Sequence, residues 1–570
     1  MINIVFLLLR RLQGPLITLI LTYAIAVLGF VLIPSTDGQG HPAPMSFFHA
    51  FYIVSYTATT IGFGELPNLF TDAQRMWITF VIYLTVIGWM YSIGTILTLV
   101  QEQSFKKMVR ALTFRRSVSR IVEPFYLVCG YGDTGRALVQ GLTQTGRRAV
   151  VIDQNADRIN ALALEDLDIK VPGLTADAGK PDTLILAGLQ SPYCAGVLAL
   201  TENDQINMQI SISAKLLRPE LLIVSRAQTS ATAANLASLG IDYIFNPFTL
   251  FSRILSHALH SPSLYALDET LTSVPHEHCS APVDPPRGRW IVCGFGRFGQ
   301  ALFEALSGEG ITCTVVETDP KLATCIPGSV IGRGSEAEVL LKAGIGEASG
   351  IIAGTDNDTN NLSIIITARR LNPTLFVIAR QNHRDNDAIF EAAHPQLVLQ
   401  NGRILAGEVY AAITSPLVVD FLRLAGQEDE LWARTLHTRI RAIAGELNPA
   451  SWVVGVCEKS TPTVSDQMKT GARITLADLQ RDPLTREICT TCIALLRKRG
   501  RDYQLLPNTT DALEHGDLIL FCGDRTAARH MHWLTHNHNT FRYVYTGEEV
   551  QSRLMSLFVR GKQRKETRTE

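Results

Sequence analysis

Two stretches of this chain run the length of a lipid bilayer without a charged residue. Pro15 to Ile33 covers 19 positions and Trp77 to Val100 covers 24. A hydrocarbon core of about 30 Å takes about 20 apolar residues at a helical rise of about 1.5 Å, so both predict membrane-spanning helices. Between them, Pro44 and Ser46 lead into Phe47, Phe48, Phe51, Tyr52 and Tyr56, which predicts a short aromatic helix. From Phe125 the texture changes. Short apolar runs end in glycine and give way to amphipathic segments, first at Leu127-Val128-Cys129-Gly130 and again at Ile291-Val292-Cys293-Gly294. Strands alternating with helices predict an α/β fold built on a parallel sheet.

Charge adds an orientation. Arg10 and Arg11 precede the first span, and Lys106, Lys107, Arg110, Arg115, Arg116 and Arg120 follow the second. The segment 34–76 holds a single Lys or Arg, Arg75. Positive flanks stay inside, so both termini are expected in the cytoplasm of a multi-pass inner-membrane protein surrounded by lipid. Over all 570 residues, 46% are apolar and 18% charged, which excludes a disordered chain. The net charge of −1 leaves no overall basic field for nucleic acid, and ten scattered cysteines do not make a disulfide scaffold.

The outer segment continues after its aromatic helix as Thr59-Thr60-Ile61-Gly62-Phe63-Gly64-Glu65. Backbone at membrane depth is tolerated where it is buried in protein or lines a water-filled path. A dehydrated cation needs oxygen ligands, and successive backbone carbonyls pointing one way supply them. Gly62 and Gly64 permit the left-handed conformations this requires, and the Thr60 hydroxyl offers one more oxygen.

The remainder is a repeat. Gly130-Tyr131-Gly132-Asp133-Thr134-Gly135-Arg136 and Gly294-Phe295-Gly296-Arg297-Phe298-Gly299 each follow a short strand and open a helix. Each is answered by an acid at the end of the next strand, Asp153 and Glu317. The copies are offset by 164 residues up to the acids and by 154 later, so the first carries about ten extra residues in between. In such a turn the first glycine bends the chain, the second admits a pyrophosphate and the third lets the helix pack. The helix N-terminus faces the phosphates, and the acid accepts ribose hydroxyls, favouring NAD or ADP. Arg136 and Arg297 stand next to the phosphate turns. Asp177, Thr201 and Thr355 fall on loops expected to close over the same crevices. Either copy can also keep the fold without binding a nucleotide.

The string Thr60 to Glu65 resembles the potassium-channel signature T-V-G-Y-G-D, departing at Ile61, Phe63 and Glu65. The Phe63 change removes a hydroxyl that often ties the filter to the pore helix. The glycine repeats resemble RCK domains, which regulate potassium conductance. The resemblance implies an α-helical membrane pore, two spans plus a re-entrant pore helix, fused to two Rossmann-like α/β RCK domains and a small α/β C-terminal lobe. It implies a homotetramer, potassium ions in the filter, and a cytoplasmic ring that takes a nucleotide and, within the family, calcium. Glu317, Asp356 and Asp358 are the oxygen donors expected to hold a calcium ion. The family's hinge glycine corresponds to Gly88, and Leu97 is the apolar side chain placed at the gate.

The expected organisation is a pore domain over 1–100, with spans 15–33 and 77–100 and filter 59–65, then a linker over 101–123. A first RCK domain over 124–270, a proline-rich linker over 271–289 and a second RCK domain over 290–429 follow. The C-terminal lobe takes 430–545 and a basic tail 546–570. His276, His278 and Cys279 in the linker, the pair Cys489 and Cys492, and the group His530, His532, His536 and His538 are read as ordinary solvent-facing or buried side chains. Two further function classes remain open at this point. One is a membrane-tethered NAD-dependent oxidoreductase, for which no substrate domain or acid–base pair is evident; the other is a regulatory subunit of a potassium efflux system, which needs more spans.

Overall fold

The computed structural model describes residues 2–36, 41–64, 69–273, 282–445, 448–489 and 491–548. Glu65, the His276–Cys279 group and the basic tail from 549 onward lie outside that set. The chain divides into two compact units, Met1–Thr113 and Phe114–Glu570.

In the first unit, α1 (Ile2–Leu32), α2 (Phe47–Ala58) and α3 (Asp72–Gln101) are joined by a short antiparallel pair, β1 (Ser35–Thr36) and β2 (Pro42–Ala43). Two helical stretches here are long and apolar enough to cross a membrane, Gln13–Leu32 and Asp72–Thr98. Lipid tails give no hydrophobic gain to helix contact, so close packing has to hold such helices together. Gly29 provides it: a β-carbon there would fall 2.0 Å from the Trp77 ring. The Trp77 indole donates to the Ala26 carbonyl at 3.1 Å, and Ser92 donates to Pro15 at 3.2 Å. Ser46 caps α2 by accepting from the His49 amide, and Ile53, Val54 and Tyr56 turn that helix into the core around Phe30 and Val81.

α4 (Gln103–Ser119) carries the chain into the second unit, where Phe114 and Val118 join the core of the first sheet. That sheet consists of β3 (Phe125–Cys129), β4 (Arg148–Asp153), β5 (Gly173–Thr175), β6 (Cys194–Ala199), β7 (Leu222–Arg226) and β8 (Tyr243–Phe245). Its order is β5-β4-β3-β6-β7-β8, all parallel. The second copy repeats it with β9 (Trp290–Cys293), β10 (Cys313–Glu317), β11 (Val330–Ile331), β12 (Gly350–Ala353), β13 (Phe376–Gln381) and β14 (Leu397–Gln400), in the order β11-β10-β9-β12-β13-β14. Both are doubly wound sheets whose order reverses beside the glycine strand, the place where such folds bind ligands. Much of the length difference between the copies lies after the acid strand. A nine-residue helix, Ala156–Leu164, stands where the second copy has the four residues Pro320–Ala323.

The copies exchange helices. Asn401–Thr414, which follows β14, buries Leu405, Val409 and Ile413 against the first sheet. Pro247–His260, which follows β8, buries Phe251, Leu255 and Leu259 against Trp290, Phe298 and Leu302 of the second. A four-stranded antiparallel sheet completes the unit, with β15 (Ala450–Gly455), β16 (Cys492–Arg499), β17 (Asp502–Leu505) and β18 (Leu518–Gly523) in the order β15-β18-β16-β17.

Candidate functional site

The loop expected to line a pore begins where α2 ends, at its cap Thr59. Thr60, Gly62 and Gly64 have φ of 62°, 66° and 89°, while Ile61 and Phe63 between them do not take positive φ. Alternating handedness turns successive carbonyls toward one side, the arrangement that coordinates a bare cation. At Gly62 and Gly64 no atom of the described residues would meet a β-carbon within 4 Å, and the positive φ of each is what favours glycine there. Thr60 holds the same region without that freedom, at a strain of about 1–3 kcal/mol, and such strain gathers at functional sites. The amides of Ile61 and Gly62 donate to the Tyr56 carbonyl at 2.9 and 3.4 Å. The Tyr56 hydroxyl donates to the Gly64 carbonyl at 2.5 Å. The Phe63 ring stacks on Tyr52 and meets Tyr56 edge-on. No sequence signal separated Tyr56 from the other aromatic residues of its helix.

α3 is unbroken through Gly88, which is buried against α1: a β-carbon there would lie 3.0 Å from the Thr22 hydroxyl. Leu97 is 55% exposed near the end of the same helix.

In the first crevice, Gly130 has φ 105°, and a β-carbon on it would meet Leu200 and Thr201 backbone at 3.0 Å. Gly135 would place one 2.0 Å from the Gly130 carbonyl, so the start of α5 (Asp133–Gln144) sits directly on the strand end. Thr134 and Gly135 are buried in that first turn. Asp153 is 7% exposed and accepts from the amides of Tyr131 at 2.6 Å and Asn155 at 2.7 Å. Asp177 accepts from Gln154 at 3.1 Å, placing it beside that acid. Thr201 is held by Asn207 at 2.7 Å next to the glycine turn. Asp133 faces the other copy, accepting from the Arg384 amide at 3.4 Å and lying against Gly402.

One expectation changes here. Arg136 does not turn toward the phosphate position but pairs with Glu165 at 2.8 Å, and the Tyr131 hydroxyl donates to the same carboxylate. The cation over the turn is Arg158, on the longer helix of this copy. Its guanidinium would lie 3.5 Å from a β-carbon on Gly132, with Asp153 at 3.6 Å and Glu202 at 3.9 Å. An arginine at a helix surface gives no sequence cue to such a place.

The second crevice repeats the scaffold. Gly294 has φ 90°, Gly299 lies against the Gly294 carbonyl, and Thr355 is held by Asn361. Its furnishing differs. Leu322 follows the helix cap where Arg158 does in the first copy, and among the described residues nothing lies within 4 Å of a β-carbon on Gly296. Burial would raise the Glu317 carboxyl, but hydrogen bonds from the Phe295, Asp319 and Thr318 amides and the Thr318 hydroxyl outweigh it and lower it. Arg297 packs on the Phe248 ring, 4.9 Å from its centre, and Arg380 covers the buried Phe298 at 5.2 Å. Arg226, 7% exposed at the end of β7, has no hydrogen-bond partner for its Nε among the described residues. Burial lowers its pKa, Glu202 and Asp204 act against that, and Arg297 adds to the lowering.

The expected calcium site does not form. Asp356 is exposed, and the buried Asp358 carboxylate is taken up by the Asn382 and His383 amides and the Asn386 side chain at 2.7–3.0 Å. Among the described residues no group of three or more His, Cys, Asp or Glu is arranged to hold a metal ion.

Comparison with known proteins finds two families along the chain. An ion channel family matches residues 17–102, and the TrkA-N domain family matches 126–247 and again 290–400. Potassium channel protein 1 of Methanocaldococcus jannaschii is 26% identical over 230 residues, 40% of this chain and 66% of that one. A Trk system potassium uptake protein TrkA homolog of Methanothermobacter thermautotrophicus is 30% identical over 146 residues, 25% of this chain and 67% of that one. The chain thus spans about two thirds of the length of these curated relatives. The solved GsuK channel bound to NAD is 15% identical, with a TM-score of 0.43 over 93% of this chain and 97% of that one. The chain therefore belongs to the TrkA-N (RCK) family, carrying two copies of that domain behind an ion-channel domain.

Proposed function

We propose that the chain forms a homotetrameric, potassium-selective channel of the inner membrane, with both termini cytoplasmic and opening biased by NAD or ADP in the first crevice. The alternation of positive φ at Thr60, Gly62 and Gly64, between two membrane-length helices, carries this reading. One strand of carbonyls cannot surround an ion, so several copies must share the axis, and four close a ring. The Thr60 hydroxyl and the carbonyls that follow it replace the water of a potassium ion. Leu97, apolar and exposed near the end of α3, forms a ring that closes the path by dewetting.

The first crevice fits a dinucleotide or nucleoside diphosphate. Gly132 leaves room for the diphosphate at the α5 N-terminus, Asp153 accepts ribose hydroxyls, and Asp177 and Thr201 flank it. Such a ligand biases the pore only by its difference in affinity between open and closed states, multiplied over the copies. Purified full-length chain in liposomes, loaded with potassium or sodium, tests the first half of this reading. Potassium efflux well above sodium efflux is the expected result; equal fluxes overturn it.

A further inference from the structure

The potassium-channel signature places a tyrosine inside the filter, and this chain has Phe63 there, without a hydroxyl. A hydroxyl reaches this loop from the preceding helix instead. Tyr56, on the last turn of α2 and 4% exposed, donates to the carbonyl of Gly64 at 2.5 Å, across eight residues. Its own carbonyl accepts the Ile61 amide, and the Gly62 amide at longer range, so one residue grips both ends of the loop. Phe63 lies in an aromatic wedge, 5.6 Å from the Tyr56 ring and 6.4 Å from the Tyr52 ring.

We infer that Tyr56 is the positioning residue of the filter's outer end, tying the Gly64 carbonyl back to the pore helix. This rests on the channel reading above. A carbonyl held from behind is not free to face an ion, so the coordinating oxygens run from Thr60 to Phe63 and Gly64 marks the mouth. Phe63 can be apolar because the tether arrives from the helix and not from the filter. The tie also fixes Gly64 at its left-handed φ of 89°, a conformation that glycine alone does not hold in place.

The test is Tyr56→Phe in full-length protein, which keeps the ring and removes one oxygen. Reversal potentials in mixed potassium and sodium are expected to show a permeability ratio reduced by roughly threefold to tenfold, the worth of one buried hydrogen bond. Tyr52→Phe, which touches Phe63 only through its ring, should leave the ratio unchanged. Adding Phe63→Tyr to Tyr56→Phe should return selectivity, because a hydroxyl is again available at the filter. A selective wild type with Tyr56→Phe equally selective and equally long-lived in its open state overturns the tether. A wild type with no potassium preference overturns the channel reading itself. Gel filtration of each variant as the wild-type oligomer separates loss of the tether from loss of assembly.

Discussion

The two glycine crevices share one scaffold and differ in what stands around it. In both, the third glycine sits against the first glycine's carbonyl, and the acid accepts the amide between the first two glycines. Beyond that they part. The first has Arg158 over Gly132, within reach of Asp153 and Glu202; the second has Leu322 at the matching position of the chain, and no described atom within 4 Å of a β-carbon on Gly296. Both acids also take the amide two residues on, from Asn155 and Asp319, but Glu317 takes the Thr318 amide and hydroxyl besides, at 2.7 and 3.0 Å. If a nucleotide binds as proposed, the shared backbone geometry sets where it fits, and the side chains on the following helix set which copy holds it.

The largest expected effect tests the shared part. Gly135→Ala and Gly299→Ala each drive a methyl into a backbone carbonyl, at a cost of about 1–3 kcal/mol or more. Thermal unfolding should show both destabilised alike, whereas Gly296→Ala should be tolerated. Unequal losses from the first two would mean that the scaffolds are not equivalent.

The acids should then separate the copies. Asp153→Ala removes charged acceptors worth about 1.5–3 kcal/mol, so calorimetry should find ADP bound about tenfold to a hundredfold more weakly. Glu317→Ala should leave ADP affinity and a stoichiometry of one per chain unchanged. Equal losses in the two variants would make the two crevices equivalent in nucleotide binding. A smaller effect sharpens the role of Arg158. If the guanidinium meets the diphosphate, Arg158→Leu weakens ADP about threefold to tenfold and leaves adenosine alone. Tighter ADP binding would make Arg158 a cover for an empty crevice instead.

Much of this was legible in the chain. The two spans, both glycine turns, their acids and the offset between the repeats are local patterns, and local patterns survive in sequence. What was not legible depends on side chains meeting across long separations. Arg136 reads as a phosphate neighbour until Glu165 claims it. Asp358 reads as a metal ligand until the amides after β13 occupy it. The helix exchange is hidden for the same reason, because an amphipathic helix shows that it has a partner but not which one.

That exchange leaves an ionic group at the junction of the copies and the smallest of the expected effects. Arg253 pairs with both Glu408 and Asp268, and His257 lies 2.9 Å from Asp268. Arg384, Asp387, Glu391, His394 and Arg403 line the adjoining cavity of about 690 Å³. Burial pushes the Glu408 carboxyl up to about 7 against the pull of Arg253, with Asp268 adding to the rise. The folded chain therefore keeps a proton that the unfolded chain has already lost above the usual carboxylate range. The stability Glu408 contributes is full in acid and is lost as pH rises to about 7, by at most one proton per chain. Glu408→Gln should flatten the fall in melting temperature of the full-length protein between about pH 5 and 7. An unchanged slope would assign that proton to another group.

The central question is whether the first crevice, and not the second, acts on the pore. Potassium flux through full-length chain in liposomes, titrated with ADP and then with NAD, measures this for wild type, Asp153→Ala and Glu317→Ala. Wild type and Glu317→Ala should shift their flux over the same ligand range, while Asp153→Ala should conduct without responding. A full response in Asp153→Ala, or saturating nucleotide that binds the wild type and leaves its flux unchanged, would contradict control of the pore by the first crevice.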